Sequence, residues 1–166
     1  MHREDFPILK HDLIYFDNGA TTLKPKCVVE AMDDYYYNYG ANIHRGDYKI
    51  SHKASEEYEM VRDKVKDFIN ARNAKEIVFT SGATDALNKI VFGFMKKYLH
   101  EDDEVLITKS EHASNILPWF ELKKPNNIKI NYIPLDENHE LTKENLEKSI
   151  TKNTKVISIA HVTNVV

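Results

Sequence analysis

The chain has 166 residues, a formal net charge of −3, 42% hydrophobic and 30% charged residues, a balance that builds and covers a globular core and gives no basic field for nucleic acid. No apolar run reaches membrane-span length, and none of secretory type opens the chain, so the expected location is cytoplasmic, with no membrane partner. With Cys27 as its one cysteine, the chain can assemble neither a disulfide framework nor a cysteine-rich metal site.

In chain order, the sequence predicts a short strand at Leu13 to Phe16, a loop from Asp17 to Pro25, and a helix carrying Val28, Ala31, Met32, Tyr35 and Tyr36. Cys27 falls at the start of that helix among apolar neighbours and reads as a buried or half-buried structural thiol. After a loop from Gly40 to Ser51, Tyr58, Val61, Val65, Phe68 and Ile69 recur at helical spacing. They give a second helix one apolar packing face.

From Glu76 the pattern changes to regular alternation. Strands are expected at Ile77 to Thr80, Val105 to Thr108, Ile128 to Ile133 and Val156 to Ala160, helices at Ala83 to Tyr98 and Thr142 to Ile150, and a turn around Pro118. Such repetition implies an α/β fold with a mostly parallel sheet and flanking helices. Thr142 is placed to cap its helix, with Asn145 at the third helical position. The organisation expected is a helical segment over 1–75 and the first part of an α/β domain over 76–166. Because the sequence stops just after a strand, at His161-Val162-Thr163-Asn164-Val165-Val166, that domain reads as incomplete, a piece of something longer.

Two stretches carry the chemistry. Phe79-Thr80-Ser81-Gly82-Ala83-Thr84-Asp85-Ala86 runs from a strand through small residues into a helix. Free N–H groups and the positive helix end gather at Ser81, Gly82 and Ala83, and the Thr84 hydroxyl adds a donor, which suits an anion such as a phosphate; an ordinary helix cap has the same pattern. Glu111-His112-Ala113-Ser114-Asn115 puts an imidazole at the end of the next strand. The eight histidines contain no close ligand pair of the His-x-x-x-His type, so no metal is expected. Ser51-His52-Lys53 places Lys53 at the opening of the amphipathic helix, as a surface residue.

The motifs Tyr15-Phe16-Asp17-Asn18-Gly19-Ala20-Thr21-Thr22, Asn42-Ile43-His44-Arg45-Gly46, Phe79 to Ala86, Glu111 to Trp119 and His161-Val162-Thr163-Asn164 together resemble the N-terminal part of a cysteine desulfurase. The family is the class V aminotransferase superfamily, in the branch of sulfur-mobilising desulfurases and selenocysteine lyases. The resemblance implies the large domain of an aspartate-aminotransferase-like, fold type I enzyme with pyridoxal 5'-phosphate as cofactor. It implies that Ala83 and Thr84 bind the cofactor phosphate and that His112 stacks on the pyridine ring as a catalytic residue. It also places Asn164 near the phenolic oxygen, and Asn18, Gly19, Ala20, His44 and Arg45 near the substrate.

The family's Schiff-base lysine, the aspartate facing the pyridine nitrogen and the sulfur-accepting cysteine have no counterparts in the 166 residues, so the chain alone is expected to be inactive. The activity implied is conversion of L-cysteine to L-alanine with an enzyme persulfide, feeding iron–sulfur cluster assembly through a sulfur-acceptor protein, in a homodimer to which Tyr35, Tyr36, Tyr37 and Tyr39 contribute if they do not fill the core. The competing readings are another class V enzyme (selenocysteine lyase, aminotransferase or kynureninase) and a non-catalytic truncated or split protein.

Overall fold

A computed structural model describes residues 2–10 and 12–163. The chain divides into two compact units, the first ending at Val78 and the second beginning at Phe79.

In the first unit, two short 3₁₀ turns (Arg3–Asp5 and Pro7–Lys10) precede α1 (Lys26–Asp34), which runs into a π-helical stretch at Tyr35–Tyr39. The long helix α2 spans Lys49–Phe68. The expected strand at Leu13 to Phe16 is instead an exposed extended segment. Side chains serve its backbone in place of a partner strand: an Arg3 Nη2 group donates to the Leu13 carbonyl at 2.7 Å. Tyr15 donates its hydroxyl to the carbonyls of Asp17 (3.1 Å) and Thr21 (2.6 Å). Cys27 is exposed, not buried, as α1 has no buried residue along its length.

The apolar stripe of α2 also differs from expectation. Its buried residues are Ser51 and Ala54, near the N-terminus, whereas Phe68 is 90% exposed and Val61 and Ile69 are exposed as well. What anchors α2 is polar. Ser51 donates to the Asn42 carbonyl at 2.6 Å, and Arg62 reaches Glu59 at 3.1 Å, Tyr58 Oη at 3.2 Å and the Ile77 carbonyl.

The second unit is built on a parallel sheet of three strands in the order β2-β1-β3: β1 (Glu104–Ile107), β2 (Lys129–Tyr132) and β3 (Thr154–Ile157). Val105 pairs with Ile130 on one side and with Val156 on the other. The central strand is therefore paired along both edges, and because Val105, Leu106 and Ile107, which point to alternate faces, are all buried, both of its faces are covered too, as a continuous apolar run in a parallel sheet demands. Against it lies one cluster: Val91, Leu99, Trp119, Leu122 and Ile128.

The helices are α3 (Ala83–Asn88), continued by a π-helical turn at Lys89–Phe94 and a 3₁₀ turn at Met95–Lys97, then α4 (Ala113–Asn126) and α5 (Lys143–Ser149). The expected turn at Pro118 is a correction: Pro118 and Pro125 both lie inside α4. A mid-helix proline forfeits a backbone hydrogen bond and crowds the preceding turn. Here Pro118, Trp119 and Leu122 are buried together, and that burial outweighs the local penalty. The expected strand at Ile77 to Thr80 is extended but lies outside the sheet, with Val78 72% exposed. The last strand ends at Ile157, earlier than Ala160; Ser158 still donates to the Leu106 carbonyl at 2.9 Å, but the Ala160 N–H is taken by a side chain instead. Thr142 caps α5 as expected, accepting the Asn145 N–H at 3.1 Å.

Candidate active site

In a parallel α/β sheet, ligand sites form beyond the carboxyl ends of the strands. Two clefts open there in the second unit. One, of about 380 Å³, is lined by Leu87, Glu111, His112, Asn115, Ser158 and Ala160 among others. The other, of about 720 Å³, is lined by Thr108, Ser110, His139, Glu140, His161 and Thr163 among others.

His112 stands at the N-cap of α4 with extended backbone (φ −66°, ψ 145°). Its Nδ1 accepts the backbone N–H of Ser114 at 3.1 Å and lies 2.7 Å from the Ser114 hydroxyl. A nitrogen that accepts an amide proton carries none of its own, so the neutral ring bears its proton on Nε2. The ring is exposed at the lip of the smaller cleft.

The turn leading into α3 is where the sequence places an anion cradle. Gly82 is the N-cap with φ 155° and ψ 177°, a conformation that is essentially glycine's alone. A Cβ placed there would meet nothing within 4 Å, so the approach to the turn is open. The first helical N–H groups, those of Ala83, Thr84 and Asp85, have no carbonyl four residues back within the helix. Asp85 accepts the Ser81 N–H at 3.2 Å and pairs with Lys89. The Lys89 hydrogen bond, then that from Ser81, hold the Asp85 carboxyl below the usual aspartate range. The donor set and open space fit a phosphate group; Ala83 and Thr84 are both exposed. Leu87, one turn further along the same helix, shares the cleft of His112, so the structure brings the cradle helix and the imidazole to one place.

The remaining expected residues belong to the first unit. Asn18, Gly19 and Ala20 form an exposed turn closed by hydrogen bonds to the Asp17 carbonyl from Ala20 (3.2 Å) and Thr21 (3.0 Å). His44 has a left-handed backbone (φ 61°), donates its N–H to Ser55 Oγ at 2.9 Å, and sets Nε2 3.2 Å from Glu59. Glu59 thus bridges His44 and Arg62. Arg45 is exposed beside it. Asn164 lies outside the described residues. Among the described residues no three His, Cys, Asp or Glu side chains gather as a metal site, and no helix is long and apolar enough to cross a membrane.

Sequence reasoning passed over Glu111 and Asn115, although both sit beside His112. Glu111 is buried, and its partners include the backbone of Ala160, 49 residues downstream. Asn115 contacts Ser158, 43 residues downstream. An acidic residue directly before a strand-end histidine was the available signal; its meaning depends on contacts no local pattern specifies.

The parallel sheet with helices packed on it is the α/β architecture of fold type I enzymes. The family model described as aminotransferase class-V matches residues 14–166, and the chain belongs to that family. It is 46% identical over 98% of its length to a protein of Borreliella burgdorferi named probable cysteine desulfurase, and covers 40% of that protein. Among solved structures it is similar to an apo cysteine desulfurase from Thermococcus onnurineus NA1, with 41% identity and a TM-score of 0.90, covering 98% of this chain and 40% of that one. It is also similar to SspA in complex with cysteine, with 27% identity and a TM-score of 0.79, covering 92% of this chain and 43% of the other. The chain thus spans about two fifths of the length of the relatives it matches.

Proposed function

We propose that the chain is part of a pyridoxal phosphate-dependent cysteine desulfurase and supplies the phosphate and ring contacts of its cofactor site. The observation that carries this reading is the likeness to the Thermococcus cysteine desulfurase across 98% of the chain; the open Gly82 turn and the cleft at His112 support it.

When bound, the cofactor supplies an electron sink for the bonds of the substrate's α-carbon. The roles of the chain's own residues are to hold and orient. The N–H groups of Ala83 and Thr84, with the Thr84 hydroxyl, bind the phosphate, where the helix start favours negative charge. The His112 imidazole lies against the ring and keeps it flat, with the Nε2 proton free to be shared because Nδ1 is engaged by Ser114. Asn164 takes the place beside the phenolic oxygen in the resembling motif. Asn18, Gly19, Ala20, His44 and Arg45 serve the substrate, L-cysteine.

The same reading takes a homodimer, a sulfur-acceptor protein, iron–sulfur cluster assembly and a cytoplasmic setting from the resemblance. Lys53 and Cys27 have no part in it, and the chain by itself is expected to release no sulfide from L-cysteine.

Titration of the chain with pyridoxal 5'-phosphate and, separately, with pyridoxal tests the reading. Retention of the phosphorylated form, weakened by Thr84→Val, is the expected result; equal weak binding of both would overturn it.

A further inference from the structure

Glu111 is 8% exposed and its carboxylate makes no ion pair among the described residues. Three donors converge on it instead. Thr108 Oγ1 donates to Oε1 at 2.9 Å, the Ala160 backbone N–H to the same oxygen at 2.9 Å, and Asn115 Nδ2 to Oε2 at 2.8 Å. Because the Thr108 proton goes to Glu111, the Ser110 hydroxyl 3.0 Å away donates to Thr108, which makes a directed chain of three groups. Asn115 extends the network, donating to the Ser158 carbonyl at 3.3 Å and accepting from the Ser158 hydroxyl at 2.6 Å.

We propose that Glu111 is a positioning residue: its carboxylate fastens the turn between β1 and α4 to the chain leaving β3, and so fixes the ring of His112 at the lip of the cleft. The inference rests on the reading that His112 faces the cofactor.

A carboxylate suits this setting. Both of its oxygens accept, so all three donors are matched; a glutamine in its place would set an N–H against one of them. Glu111 is joined by one peptide bond to His112, and its three partners come from the residue just after β1, from α4 and from the segment after β3. A shift of that carboxylate therefore moves the N-cap residue directly, whereas the buried residues of β1 are held by their own ladder.

The test uses the whole chain without cofactor, isotopically labelled, in wild-type and Glu111→Gln forms. In the variant the Ala160 amide is expected to exchange about tenfold faster or more, since hydrogen bonds to charged groups are the stronger ones. The His112 ring nitrogens are expected to move from the Nε2–H pattern toward tautomer-averaged positions, while the amides of Val105 and Leu106 keep their protection. Should Glu111→Gln fail to fold, Thr108→Val decides, with a smaller shift of the same His112 signals expected. His112 ring signals that stay at wild-type positions in the folded variant overturn the proposal, even where Ala160 loosens, because Glu111 would then be a structural tie only. Failure of the wild-type chain to retain pyridoxal 5'-phosphate would sink the functional reading and leave the ring-nitrogen result standing.

Discussion

The Nδ1 atom of His112 accepts the backbone N–H of Ser114 at 3.1 Å, so one imidazole both caps α4 and faces the cleft. These duties separate by substitution. His112→Ala removes the cap and is expected to cost about 1 kcal/mol of stability in urea unfolding. His112→Asn keeps a good capping side chain and should stay within about 0.5 kcal/mol of wild type, yet lose the ring and with it the absorbance change on adding pyridoxal 5'-phosphate. Equal stability losses in the two variants would show that the imidazole is not the cap.

Asp85 carries a pH dependence with a definite sign. Its carboxyl is held below its ordinary value by Lys89 first and Ser81 second, so folding favours the ionised form. That contribution is complete above the ordinary carboxylate range of about 4, and is lost as pH falls through the lowered folded value. A comparison of Tm for wild type and Asp85→Asn between neutral and acidic pH should show a gap that closes on acidification. Because Lys89 is exposed and Asp85 only half-buried, about 1 M salt should shrink the gap as well.

Two glycines are expected to resist alanine for different reasons. At Gly46 a Cβ would collide with Tyr48 Cε1 and lie 2.6 Å from Ser51 Oγ, and Ser51 is buried against the loop it anchors. Overpacking of this kind costs ~1–3 kcal/mol. At Gly82 the space is free and the backbone is not, so the cost is strain, also ~1–3 kcal/mol. The proton spectrum distinguishes them: Gly46→Ala should shift the Tyr48 ring signals, and Gly82→Ala should leave the side-chain signals of the second unit's core in place while weakening phosphate binding.

Leu122, fully buried between α4 and the sheet, sets the scale for these effects. Leu122→Ala should lose about 2–5 kcal/mol in denaturant unfolding. A loss below about 1 kcal/mol would mean that the cluster is not a packed core.

The α/β alternation of the second half was legible because burial on a parallel sheet leaves continuous apolar runs such as Val105-Leu106-Ile107, and because Thr142 is a cap whose partner lies three residues away. The misreadings all concern interactions that reach beyond local spacing. Pro118 looks like a turn until Trp119 and Leu122 are seen buried around it. Ile77 to Thr80 and Leu13 to Phe16 have strand composition, but a strand exists only with a neighbour, and these segments instead give carbonyls to Arg62 and Arg3. Val61, Phe68 and Ile69 keep helical spacing without being buried in this chain, since periodicity specifies a face and not what covers it. At the candidate site, the imidazole and the small-residue turn could be read from sequence; the clamp at Glu111 could not, because two of its ends meet only after folding.

The chain's one tryptophan, Trp119, is 2% exposed in the sheet-facing cluster, and its indole Nε1 finds no hydrogen-bond partner among the described residues. Seven of the nine tyrosines fall before Phe79, and two, Tyr98 and Tyr132, after it. Indole emission therefore reports the second unit alone, at the short wavelengths of a dry and unbonded ring, while phenol absorbance reports mostly the first. One sample carries two independent optical channels, and a denaturation in which they part company would reveal the halves melting separately, with no label attached.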